Sequence, residues 1–78
     1  MAKASDIAVP YLRDWRADKG LTQEELAQTA QVSRGTVLRA ENGGAVNVRT
    51  LAKLARALGI SVHDLRHTDP ATKGTPTI

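Results

Sequence analysis

Seventy-eight residues hold one compact domain, because two would each fall below the size that buries a self-sufficient core. A hydrophobic content of 41% and a charged content of 24% favour neither a disordered chain nor a membrane protein, and the lack of cysteine excludes disulfides, thiolate metal sites and cysteine nucleophiles. The formal charge of +3 is unevenly spread: residues 1–33 hold four cations against five carboxylates, net −1, and residues 34–66 hold six against two, net +4.

In chain order, Pro10 is tolerated only in a first helical turn, which predicts a first helix starting between Asp6 and Pro10 and burying Ala8, Leu12 and Trp15. It stops after Lys19, with Gly20 as a left-handed cap. Thr22 and Glu25 have the spacing of a capping box, and Leu21 and Leu26 that of a hydrophobic staple, so a second helix spans Gln23 to Ala30 with Leu26, Ala27 and Ala30 inward. Ser33 supplies the next N-cap, stapled by Val32 and Val37, and a third helix runs from Arg34 to about Glu41. So short a link forces the two helices to cross steeply, which makes a helix-turn-helix. Asn42, Gly43 and Gly44 end the third helix. Asn47 caps a fourth, whose Val48, Leu51, Leu54, Ala55 and Leu58 form an apolar stripe ending at Gly59. Ser61 caps a fifth, Val62 to about Arg66. The domain is thereby expected to occupy residues 1–67, and the Thr- and Pro-rich stretch 68–78 to be a flexible tail.

Several blocks agree in spacing with one family. Gly20, Leu21, Thr22, Gln23, Glu24, Glu25, Leu26 and Ala27, then Val32 and Ser33, then Glu41, Asn42 and Gly43, then Thr50, Leu51, Lys53, Leu54, Ala55, Ala57, Leu58 and Gly59 resemble the DNA-binding domain of the lambdoid phage repressors and Cro, the XRE-type helix-turn-helix family. The likeness covers about residues 8–66. It implies an all-α, five-helix, lambda-repressor-like fold, with the third helix as the recognition helix whose N-terminal end enters the major groove of double-stranded DNA.

On that helix, positions 34, 35 and 38 point away from the core that Val37 enters, and 39 lies one turn beyond 35. Arg34 and Arg39 are the best base-reading candidates, since a guanidinium fork donates two bonds to guanine O6 and N7; contact with phosphate alone is the plainer alternative. Ser33 and Thr36 add hydroxyl or methyl contacts, although capping by itself explains Ser33. Gly35 costs about 1 kcal/mol relative to alanine in a helix, which close approach of the backbone to a base pair explains, as does a tolerated neutral position. Leu38 stands where the family usually shows a polar residue, and is either a scattered surface side chain or a contact for a thymine methyl. The resemblance places Thr22 and Gln23 on a phosphate at the start of the second helix, where free N–H groups favour an anion. It puts Asn42 and Arg49 on the backbone across the groove. Lys53 and Arg56 are explained as well by a solvated helix face. Arg16 and Glu41 match a family pair that forms a structural salt bridge.

Ile60, Val62 and Leu65 offer more apolar surface than a short terminal helix needs, so a homodimer through them is expected, with inward packing in one subunit as the alternative. His63 and His67 have i, i+4 spacing but no evident third ligand, and neither a metal, a cofactor nor a small-molecule ligand is expected. No nucleophile–base constellation points to an enzyme. No apolar stretch follows Lys3 to form a signal peptide, and no run approaches the roughly 20 residues of a spanning helix, so a cytoplasmic regulator is expected, a repressor in the first instance. The rival is a protein-interaction module or antitoxin-type accessory factor that uses the same fold mainly to bind another protein.

Overall fold

Every helix boundary that rests on a polar cap is realised as a hydrogen bond. The computed structural model describes residues 7–73, ordered as β1 (Ile7–Ala8), α1 (Leu12–Asp18), α2 (Gln23–Ala30), α3 (Arg34–Glu41), β2 (Ala45–Val46), α4 (Val48–Leu58), α5 (Val62–His67) and α6 (Pro70–Lys73). Thr22 Oγ1 accepts from the Glu25 N–H at 3.0 Å while Glu25 Oε1 accepts from the Thr22 N–H at 2.8 Å, so the capping box is complete. Ser33, Asn47 and Ser61 accept from the N–H groups of Thr36, Asn47's third follower Thr50, and Asp64. Gly20 and Gly59 take positive φ at the ends of α1 and α4. The fold is mostly helical and lambda-repressor-like, the five expected helices being followed by a single further turn, α6.

The start of the chain departs from the expectation. Pro10 lies in a turn closed by the Leu12 N–H on the Val9 carbonyl at 3.1 Å, a role its fixed φ suits. The helix therefore begins only at Leu12. Ahead of it β1 pairs antiparallel with β2, Ile7 opposite Val46 and Ala8 opposite Ala45. Val9, rather than Ala8, enters the core.

The core gathers Val9, Leu12 and Trp15 with Leu26, Ala27, Val37, Val46, Leu51, Leu54, Leu58 and Leu65. The small buried side chains of Ala27, Ala30, Ala40 and Ala55 let α2 pack closely against both α3 and α4. Val48, expected on the apolar stripe, is instead 57% exposed at the first position of α4, and the buried stripe begins at Leu51. Leu65, expected at a dimer interface, is fully buried within the chain. Its side chain is part of the core, and the interface assignment is corrected for this residue.

The ordered structure also continues past His67. The Trp15 indole Nε1–H reaches the carbonyls of Asp64 at 3.1 Å and Thr68 at 2.8 Å, tying the end of α5 to α1. Asp69 Oδ1 then caps the Ala71 N–H at 3.0 Å and opens the single turn of α6. The remainder of the expected tail, residues 74–78, lies outside the described residues, as do residues 1–6.

Candidate nucleic-acid interface

The turn from α2 to α3 is set by Gln31, which adopts φ +61° and donates its N–H to the helix it terminates. A left-handed conformation costs a non-glycine residue about 1–2 kcal/mol; the nearby contacts of Val32 with the core hold it. Ser33 then starts α3 at once. The exposed face of α3 carries Arg34, Gly35, Leu38 and Arg39, whereas Val37 and Ala40 are buried beneath it. Arg34 and Arg39 are five residues apart, which is roughly 7.5 Å along the helix axis. Among the described residues the single ion pair is that of Arg16 with Glu41, so both arginines present unpaired cations.

That ion pair fixes how α3 sits. Glu41, with a side chain only 3% exposed, accepts from Arg16 Nε at 2.5 Å, from Arg16 Nη2 at 3.2 Å and from Gln23 Nε2 at 3.1 Å. Arg16 Nη1 adds a bond to the Leu21 carbonyl at 2.8 Å. One carboxylate thus joins α1, the N-terminus of α2 and the C-terminus of α3. Gln23 belongs to this cluster, which the sequence reading missed: one amide hydrogen is spent on Glu41, and the other remains for a further acceptor.

The remaining candidates divide by their partners. The hydroxyls of Ser33 and Thr36 stand 2.8 Å apart, and Ser33 also caps α3, so both are held in place before any ligand arrives. The Thr22 hydroxyl is engaged in the capping box. At this end of α2 an anion would meet the first-turn N–H groups beside the exposed carboxylates of Glu24 and Glu25. Asn42 and Arg49, on either side of the α3–α4 loop, are exposed. In that loop Gly44 donates its N–H to the Arg39 carbonyl at 2.8 Å, and a Cβ there would come within 2.6 Å of Arg39 Cγ. Only glycine lets the stem of Arg39 lie across the loop, a requirement the sequence reading took merely as a helix stop.

At Gly35 an added Cβ would meet nothing nearer than Ser33 Oγ at 3.9 Å. No packing inside the chain demands glycine there. Leu38 is 41% exposed on the same face as Arg34, a position from which it can meet an apolar group such as a thymine methyl. The rings of His63 and His67 lie tilted at 41° with centroids 4.9 Å apart, but no set of three or more metal-ligating side chains converges among the described residues. No helix among them is long and apolar enough to cross a membrane.

A short helical domain that presents unpaired arginines on the second helix of a helix-turn-helix has the form of a DNA-binding module. Residues 12–65 match the family model described as helix-turn-helix, and the chain belongs to that family, the XRE-type helix-turn-helix transcriptional regulators, which are DNA-binding proteins and not enzymes. Solved structures agree. The restriction-modification controller protein C.AhdI from Aeromonas hydrophila is 39% identical, with a TM-score of 0.68 over 70% of this chain and 85% of that one. The clp gene regulator ClgR from Corynebacterium glutamicum is 40% identical, with a TM-score of 0.70 over 80% of this chain and 67% of that one. SinR, a master regulator for biofilm formation solved in complex with DNA, is 28% identical, with a TM-score of 0.65 over 69% of this chain and 89% of that one. No curated protein matches the chain.

Proposed function

We propose that the protein is a sequence-specific repressor that binds a palindromic operator as a homodimer, with α3 in the major groove. The observation that carries this reading is the exposed α3 face, where Arg34 and Arg39 are free of carboxylates while Glu41 anchors the end of the same helix. Arg34 and Arg39 read bases, typically guanine; Ser33 and Thr36 contribute hydroxyls, and Gly35 lets the helix backbone close on a base pair. Thr22, Gln23, Asn42 and Arg49 hold phosphates, which orient the domain without reading sequence. The solved complex of SinR with DNA supports duplex DNA as the ligand.

With Leu65 in the core, the proposed two-fold contact rests on Ile60, which is half-buried, and Val62, which is 39% exposed. A dimer would set two recognition helices about 34 Å apart, one turn of DNA. Binding at a promoter would occlude polymerase, in a cytoplasmic setting and without a cofactor. The rival reading, a module whose main partner is another protein, is weaker for α3, whose exposed face bears two unpaired arginines and one leucine. Selection of operators from a random duplex pool tests the proposal. Enrichment of one palindromic sequence supports it, and a selected pool without any preferred sequence overturns it.

A further inference from the structure

Beside α3, a cleft of about 570 Å³ opens between the C-terminal end of α2 and one side of α4. On the α4 side it is lined by Ala52, Ala57 and the cations Arg49, Lys53 and Arg56, and on the α2 side by Thr29, Ala30 and Gln31. The three cations are exposed and, among the described residues, make no ion pair. They recur at i, i+4 and i+7 on α4, which spaces them by roughly 6 Å and 4.5 Å along its axis. The opposite side of α4 is locked into the core by Leu51, Leu54, Ala55 and Leu58. The row of charge is therefore carried on a rigid element.

The recess and the charge together select the occupant. A phosphate backbone would meet the three cations but would offer the alanines only the edges of its sugars, with no side chain to enter the recess. A solvated basic face has no use for the recess either. An amphipathic helix fits both features, placing an aliphatic side chain over the alanines and carboxylates at helical spacing opposite the three cations. We propose that this cleft docks an acidic amphipathic helical segment of a partner protein. Arg49 also belongs to the phosphate contacts proposed above, so docking would weaken duplex binding; that corollary rests on the DNA-binding reading, whereas the docking does not.

The test uses the full chain and a fluorescent alanine-based helical peptide of roughly twenty residues, above the length at which isolated helices are marginal. It carries Glu at i, i+4 and i+7 with Leu at i+3, and is compared with two controls, one with Gln for every Glu and one with Ser for Leu. The Glu/Leu peptide is expected to bind at least about tenfold tighter than either control. Lys53→Glu with Arg56→Glu, which reverses the charge, and Ala52→Trp, which fills the recess from an exposed position, should each remove about tenfold of that affinity while circular dichroism stays unchanged. Equal binding of either control overturns the proposal, as does indifference of the peptide to both variants. If the charge-reversed protein loses duplex affinity and the wild type shows no peptide preference, the cleft is a phosphate track and the proposal fails, while the DNA-binding reading stands.

Discussion

Arg16 Nε and Glu41 Oε2 stand 2.5 Å apart in a pair that joins α1 to the last residue of α3. Removing one partner of so buried a pair leaves the other charge without compensation, which costs more than the pair itself contributes. Arg16→Ala is expected to lower stability by roughly 3 kcal/mol in urea denaturation. Replacing both residues by methionine should cost less than the two single changes together. A loss within about 0.5 kcal/mol for Arg16→Ala would mean that the bridge does not hold α3.

Gly35 separates stability from recognition. Alanine fits the open space around it, so Gly35→Ala should raise the stability of the free protein by up to about 1 kcal/mol. Operator affinity should fall at least about tenfold, because the added methyl stands where the backbone closes on the bases. A more stable variant with unchanged affinity would show that glycine is neutral there.

Gly44 is the reverse case. Its Cβ would collide with the Arg39 carbonyl at 2.8 Å as well as with Arg39 Cγ. Gly44→Ala should destabilise the protein by roughly 1–3 kcal/mol, as overpacking does, read as a lower midpoint in thermal unfolding. Wild-type stability would mean that the loop is free to open.

Much of the fold was legible in local chemistry. Thr22, Ser33, Asn47 and Ser61 mark helix starts by the hydrogen bonds they accept, and those boundaries hold because a cap depends on neighbours three residues away. What was not legible depends on distant partners. The pairing of Ile7 with Val46 involves strands of two residues, too short to show alternation. The ordering of Thr68 depends on an indole 53 positions earlier. The left-handed Gln31 sits where glycine would have signalled the turn. In the interface, Arg16 and Glu41 matched a known pairing, but Gln23 as their third member and Gly44 beneath Arg39 required coordinates.

Leu65 and Val62 can be told apart by their environment. Leu65→Ala should cost roughly 2–5 kcal/mol, the usual penalty for a buried leucine, and unfold much of the monomer population. Val62→Asp, at an exposed site, should change monomer stability by no more than about 0.5 kcal/mol. If α5 meets its symmetry mate, sedimentation will find two wild-type chains on a full palindrome and Val62→Asp chains that bind singly and weakly. Cooperative paired binding by Val62→Asp would place the two-fold contact elsewhere.

Duplex binding should weaken with salt, by a slope of about −0.9 in log K against log salt for each phosphate neutralised. Arg49→Ala should flatten that slope by about one phosphate and reduce affinity for operator and random duplex alike. A slope that Arg49→Ala leaves unchanged would remove this residue from the phosphate contacts.

The most direct measurement compares base preference, position by position along the selected operator, for the wild type, Arg34→Ala and Arg39→Ala at one salt concentration. Each variant is expected to lose discrimination at one defined base pair per half-site, by about 1–3 kcal/mol, and to keep it at the others. Wild-type preference at every position in both variants would contradict the assignment of α3 as the helix that reads DNA.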